Sequence, residues 1–170
     1  MLLGQVVLLN TEYFWRYISG CNRRRSTTTT AAAAAIRTPL ALGESYRSLR
    51  ELQPFLPSVG VLQPDLGRCG ITGSLRISAA FPGEIVPHLS IAMGPQIAAA
   101  LHFAAATPNC PLCEFNPHVF DSANGFLRSP LVREGGEYHV SAAPGLGIEW
   151  NAVAVPARYA RSHSASVGNR

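Results

Sequence analysis

The sequence predicts an α/β fold in which short strands and helices alternate to build a parallel sheet. The 170 residues are 47% hydrophobic and 14% charged, which is enough apolar material for one core and too much for a disordered chain. Between residues 38 and 150, short apolar runs alternate with segments of helical periodicity, and glycines punctuate the joins. This alternation is typical of βαβ units.

The predicted elements fill the middle of the chain and leave room for about four βα units. The apolar runs predicted as strands are Thr38–Gly43, Val59–Pro64, Glu84–Pro87 and Pro111–Cys113. The segments predicted as helices are 45–56, 71–81 and 92–107.

The two ends of the chain differ from the middle in composition. Residues 1–35 read as an irregular leader, because 26–35 is the low-complexity run STTTTAAAAA, although residues 5–9 are a candidate strand. Residues 151–170 are rich in Arg, Ser and Ala without an apolar period, and we expect a flexible tail. The folded part is therefore expected at 36–150.

The formal net charge of +4 comes from these ends and not from the predicted fold. All 14 basic residues are arginines, and the segment 38–150 carries six of them against nine acids. A nucleic-acid-binding protein carries its basic stripe on the folded face, so we expect no nucleic-acid partner. No run approaches the roughly 20 apolar residues of a membrane span, and we expect no membrane association and a cytoplasmic location.

Four cysteines are too few for a disulfide scaffold in a chain of this length. Cys110 and Cys113 form a CxxC without a second Cys or His pair at the spacing typical of zinc sites. Packed, reduced thiols are the favoured interpretation. A small Cys/His metal-binding protein stays an alternative.

An ionisable residue closes each predicted strand. Glu44, Asp65, His88 and Glu114 follow one another at intervals of 21, 23 and 26 residues, each about one βα repeat. Because the carboxyl ends of consecutive parallel strands share one rim, these four side chains are expected to converge on a common mouth. A single acid after a strand is more often the N-cap of the next helix, so the pattern of four is what indicates a site. Arg68 lies near Asp65 and could meet an anionic substrate or point to solvent.

Several motifs in order resemble one family. LALGES, VLQPDLGRCGITGSLRISA, IVPHLSIAMGPQIAAALHFAAATPN, CEFN and PGLGIEW are similar to the C-terminal part of the mandelate racemase/muconate lactonizing enzyme group of the enolase superfamily. The resemblance covers about residues 36–150. It implies a partial TIM-type (β/α) barrel, the C-terminal half, with a Mg²⁺ ion that holds a substrate carboxylate while a base removes the adjacent proton.

The resemblance also implies a role for each residue. Glu44 matches the third metal ligand, on the fifth barrel strand. Asp65 and His88 match the Asp–His dyad in which the acid orients the imidazole and raises its basicity. Glu114, on the eighth strand, matches the residue that hydrogen-bonds the enediolate.

The implied activity is a Mg²⁺-dependent acid-sugar dehydratase or racemase acting on a small-molecule carboxylate. A divalent cation with hard oxygen ligands stabilises charge on the carboxylate oxygens, and a histidine near neutral pH can move the proton. The first two metal ligands and the second-strand lysine base of the family have no match here. Unpaired sheet edges make a homo-oligomer plausible.

Three hypotheses follow. The first is that the chain is a truncated part of an acid-sugar dehydratase or racemase, which need not be active alone. It is instead a catalytically dead remnant that serves as an interaction or structural module. Or it is the small metal-binding protein that uses Cys110, Cys113 and a histidine.

Overall fold

Residues 6–10, 31, 33–35, 37, 39–89 and 91–154 are described by a computed structural model, with 6–10 as backbone only. The elements, in chain order, are β1 (Val6–Asn10), β2 (Ala41–Leu42), α1 (Leu49–Leu52), a 3₁₀ turn (Leu56–Ser58), β3 (Val61–Leu62), α2 (Leu66–Ala80), β4 (Glu84–Ile85), α3 (Gly94–Ala106), β5 (Leu112–Phe115), α4 (Pro117–Asn124), β6 (Val132–Glu134) and β7 (Glu137–His139). The α/β class and its parallel strands are confirmed. The number of units in an intact barrel and its closure stay predictions.

The strands form two sheets whose neighbouring members are mostly parallel. One sheet has the order β2-β3-β4, and both of its pairings are parallel. The other has the order β5-β1-β7-β6, in which β1 lies parallel to β5 and antiparallel to β7. A backbone bond from Glu114 N to Pro87 O, 3.4 Å long, joins the chain just after β4 to β5. The candidate strand at 5–9 is confirmed as β1, one residue further along.

Proline and glycine explain where the elements differ from their predicted bounds. The helix expected over 45–56 is reduced to α1 and a 3₁₀ turn, because Pro54 and Pro57 cannot donate backbone hydrogen bonds. Helix α2 begins earlier than the predicted residue 71, and Gly70 breaks it with φ 67° and ψ 168°. The hairpin β6–β7 was not predicted; its turn is Gly135-Gly136, both with positive φ.

Side-chain caps set the starts of the helices. Asp65 caps α2, and its carboxylate accepts from Gly67 N at 2.7 Å. Asn116 caps α4 by accepting from Val119 N at 3.3 Å, with Pro117 in the first turn. Asn116 directly follows β5 and Asp65 lies three residues after the end of β3, so each cap stands close to a strand end.

The core lies between the parallel strands and the helices α2 and α3, and it continues into an aromatic group at β5, α4 and β7. The apolar faces interlock in the way expected of βα units. Core side chains with at most 2% exposure include Leu52, Leu62, Ile77, Ile85, Ile97, Leu101, Phe103 and Tyr138. The low-complexity run other than 31 and 33–35, and the tail from residue 155, lie outside the described residues.

The backbone at Gly43 requires glycine for two reasons, and Gly43→Ala is expected to destabilise the chain. Its φ of 148° disfavours an L side chain, and an added Cβ would lie 2.7 Å from the backbone of Gln63 on the neighbouring strand. Gly70→Ala is the matched control, since Gly70 also has positive φ but open space around its Cβ position. Backbone strain costs about 1–3 kcal/mol at either position. Urea unfolding is therefore expected to show a larger loss for Gly43→Ala, and equal losses would contradict the close packing of β2 on β3.

Candidate functional site

Three of the four predicted strand-end residues, together with Arg68, come together around one cavity. Glu44 follows β2, Asp65 follows β3 and His88 follows β4, each within three residues of the last strand position. The cavity measures about 430 Å³. Its lining residues are Glu44, Ser45, Asp65, Arg68, His88, Ile91 and Asn116. The convergence expected from strand order is thus observed for the first three residues.

Backbone hydrogen bonds between strands hold these residues at the same height. Gln63 N donates to Leu42 O at 2.8 Å, just before Glu44 and Asp65 leave their strands. His88 N donates to Pro64 O at 3.1 Å, which fixes the imidazole-bearing residue against the end of β3. The prolines at 64 and 87 have no N–H to donate, so the chain leaves the sheet at these points. The rim of the sheet therefore presents side chains 44, 65 and 88 together.

His88 lies between two carboxylates. Its Nδ1 is 2.9 Å from Oε2 of Glu114 and 3.5 Å from Oε2 of Glu44. The shorter separation is that of a hydrogen bond, but the oxygen is displaced from the line of the ring N–H. The contact between the His88 imidazole and Glu114 is therefore a buried ion pair when the imidazole is protonated.

The surroundings of His88 raise its pKa above the ordinary value. Burial alone lowers the pKa of the imidazole, because it penalises the charged form. The contact with Glu114 and its charge oppose this, followed by the charges of Glu44 and Asp65, and together they outweigh burial. The neutral form of His88 is consequently a stronger base than a free imidazole.

The Asp65 carboxylate is held by groups on its own side of the cavity. Oδ1 accepts from Gly67 N at 2.7 Å and from Gln96 Nε2 at 2.9 Å. Oδ2 lies 3.4 Å from Nε of Arg68, whose side chain is 45% exposed. Among the described residues no hydrogen bond joins Asp65 to His88, so its effect on the imidazole is that of a nearby charge. Asp65 thus combines the N-cap role and a place at the cavity, which the sequence presented as alternatives.

Glu114 differs from its expected position at a strand end. It lies inside β5, which runs from Leu112 to Phe115 and not over the predicted 111–113. Its side chain is 4% exposed, and Oε2 accepts from Leu89 N at 2.6 Å. It does not line the cavity but lies behind His88.

Sequence reasoning missed four residues of the site. Gln96 stands in the first turn of α3, where the apolar spacing of that helix drew attention instead. Ser45, Ile91 and Asn116 line the cavity from the loops that follow the strands. Each of these three residues follows one of the predicted strand-end residues by one to three positions, and this spacing could have identified them.

The described residues do not by themselves fit a magnesium site. Mg²⁺ requires near-octahedral oxygen ligation, and no group of three or more His, Cys, Asp or Glu in the described ranges is arranged to hold a metal ion. Of the carboxylates that line this cavity, Glu44 has the most exposed side chain, at 36%.

The cysteine pair is buried and reduced. Cys110 is 8% exposed and Cys113 is fully buried. The neighbouring Cys110 thiol and burial raise the pKa of Cys113 well above its usual value. Within the part of the chain described, no metal-ligand group includes them, so the Cys/His metal hypothesis has no ligand set there.

Comparison with known proteins identifies the family. The model of the enolase C-terminal domain-like family matches residues 21–154. The D-galactarolactone cycloisomerase of Agrobacterium fabrum (strain C58) is 35% identical over 127 residues, which is 66% of this chain and 33% of the relative. The chain thus spans about a third of the length of the curated relative it matches.

Solved structures agree with this result. A mandelate racemase/muconate lactonizing enzyme from Sulfitobacter sp. is 32% identical with a TM-score of 0.70, over 79% of this chain and 35% of its own. A member of the enolase superfamily from Salmonella Typhimurium is 25% identical with a TM-score of 0.75, over 81% and 37%. In the part of the chain that the structure describes, none of the helices has the length and hydropathy of a membrane-spanning segment. The family match over most of the chain and the shared fold lead to one conclusion: the chain belongs to the mandelate racemase/muconate lactonizing enzyme family of the enolase superfamily.

Proposed function

We propose that the chain carries the proton-transfer part of an active site that removes a proton α to the carboxylate of an acid sugar or its lactone. The observation that carries the proposal is the His88 imidazole in a cavity wall with Glu44, Asp65 and Glu114 around it. Enzymes place general bases in such surroundings because the pKa can then be matched to the reaction.

The substrate class is supported by charge and by similarity. The Arg68 guanidinium lines the cavity and is 45% exposed, so it can pair with a carboxylate. The name of the cycloisomerase relative designates a lactone of an acid sugar as what that protein acts on. We place this chain's substrate in the same chemical class, in the cytoplasm.

The reaction can be followed through the residues of this chain. Neutral His88 accepts the proton from the carbon next to the carboxylate, and the bonding electrons move onto the carboxylate oxygens as an enediolate. Protonated His88 then gives the proton to the departing β-hydroxyl as the carbon–oxygen bond breaks, so that water leaves and the enediolate electrons form a carbon–carbon double bond, which completes a dehydration. A racemisation would instead need a second acid, from outside the described residues, to protonate the carbon on the opposite face. Asp65 and Glu114 stabilise the imidazolium between these steps by their charge.

A divalent cation would complete such a site in the whole protein. Members of the enolase superfamily generally bind Mg²⁺, and Glu44 is the residue of this chain that we propose as a ligand. When bound, Mg²⁺ stabilises negative charge on the substrate carboxylate. Because the described residues do not form a complete ligand set, the other ligands would be water or residues outside the described ranges.

The missing ligand set also favours a second candidate function. A chain without a complete metal site can persist as an inactive remnant that acts by binding other molecules. The two functions share ancestry and differ in whether the α-proton exchanges.

The purified chain is expected to exchange the α-proton of an acid-sugar panel with D₂O in the presence of Mg²⁺. His88→Asn is expected to abolish this exchange, since loss of a general base typically costs 10²–10⁴-fold. Asp65→Asn is expected to weaken it, because a charge that favours the imidazolium is removed. Proton NMR measures the rates.

His139→Asn is the control, since the His139 side chain is 45% exposed and does not line this cavity. Exchange that is unchanged in both site variants would show that the dyad assignment is wrong. A folded wild-type chain without exchange would support the remnant.

The raised pKa of His88 also predicts how stability depends on pH in metal-free buffer. The pKa of a histidine in the unfolded chain is about 6.5. In the folded state His88 binds the proton more tightly. The contribution of His88 is therefore complete below that value and is lost as pH rises through the higher folded pKa. Urea midpoints of wild type are expected to fall relative to those of His88→Asn across this interval. A difference that grows with rising pH would contradict the direction of the shift.

A further inference from the structure

We propose that a second cavity, apart from the one at the strand ends, binds a small uncharged molecule that has an apolar body and a hydroxyl group. This cavity lies between α3 and the β6–β7 hairpin and measures about 210 Å³. It shares no lining residue with the cavity around His88. The inference therefore goes beyond the proton transfer proposed above and does not depend on it.

Two imidazoles and two hydroxyls supply the polar side chains of this second cavity. His102 belongs to α3, and His139 is the last residue of β7. Ser129 precedes the hairpin, and Ser141 follows it. None of the described residues that line the cavity is Asp, Glu or Arg. Since no fixed charge is present there to pair with an ion, the wall favours a ligand without charge.

Aliphatic side chains form the rest of the wall. Ala98 and Leu101 on α3 are 2% and 1% exposed, whereas Val132 on β6 is 51% exposed. An apolar group that enters the cavity removes such aliphatic surface from water, which favours binding. Pockets for drug-sized ligands measure roughly 300–1,000 Å³, so the volume of this cavity selects a smaller molecule.

The observation that points to a ligand is an unpaired nitrogen of His102. Its Nε2 is buried, and among the described residues it has no hydrogen-bond partner. Buried polar atoms in proteins nearly always have a partner, and the His102 side chain lines the cavity. The torsion that turns a histidine ring has a broad energy minimum, and the cavity provides space for the ring to turn. A ligand in the cavity can therefore supply the partner that this nitrogen lacks.

A hydroxyl is the group that suits this nitrogen. One nitrogen of a neutral imidazole donates a hydrogen bond and the other accepts one, whereas a hydroxyl can do both. A hydroxyl therefore pairs with Nε2 of His102 whichever nitrogen carries the proton. A metal ion held by the two imidazoles would need further protein ligands. In the described ranges no group of three or more His, Cys, Asp or Glu is arranged to hold one, which favours the hydroxyl compound.

Phenol and toluene test the proposal as a matched pair of probes, because they have the same shape and differ in the hydroxyl. The full wild-type chain is expected to bind phenol saturably in calorimetric titrations. The ratio of the phenol affinity to the toluene affinity is expected to fall about tenfold in His102→Phe, which keeps a ring and removes the nitrogen. The different hydration of the two probes cancels in this comparison. His118→Phe is the control and is expected to leave the ratio unchanged, since His118 is exposed and does not line this cavity.

NMR spectra of the wild-type chain locate the bound phenol even if His102→Phe does not fold. Once the five histidines are assigned through the backbone, phenol is expected to shift the ring signals of His102 and to leave those of His88 unchanged. Three results would each overturn the proposal: no saturable binding of phenol, an unchanged affinity ratio in folded His102→Phe, or shifts at His88 in place of His102. All of these measurements report binding, so loss of α-proton exchange would contradict the proposed function and leave this site supported.

Discussion

Parallel hydrogen bonding between neighbouring strands is the constraint on which the rest of this molecule depends. It places the carboxyl ends of β2, β3 and β4 at one rim, so residues that are more than 20 positions apart in the chain lie around one cavity. Each of these three strands is only two residues long. Backbone hydrogen bonds beyond the strands keep the neighbouring segments parallel as far as His88. The helices that follow bury the outward faces and leave the rim to polar side chains.

Electrostatics at this rim is the second feature that shapes the site. Three carboxylates and one guanidinium surround a single imidazole, so the site has an excess of negative charge. Backbone and amide donors from Gly67, Leu89 and Gln96 hydrogen-bond two of the carboxylates and hold them in place. The remaining negative potential favours the proton on His88. The same arrangement accounts for the raised pKa of this residue.

The chain shares its family with proteins that are about three times as long. The chain matches about a third of its curated relative, and the described part contains one histidine with three carboxylates close to it. Barrels distribute catalytic residues over the ends of several strands, so a portion of one carries some roles and not others. The described residues contribute a histidine whose neighbours are held in place. They do not by themselves define which substrate is bound.

The sequence alone determined the α/β class, the family, and the convergence of Glu44, Asp65 and His88, because strand order and repeat length place successive strand ends on one rim. It did not reveal the hairpin β6–β7, whose strands are three residues each and mostly exposed, so they carry no strong apolar alternation. It also did not reveal Gln96 as a partner of Asp65, nor the burial of Glu114 behind the imidazole. Those are distances between side chains on different elements, and they are decided only when helix α3 packs against α2 and when β5 aligns against the chain at Pro87. Spacing along a chain can predict which residues share a rim, but the direction in which each carboxylate points is set by the donors that surround it in three dimensions.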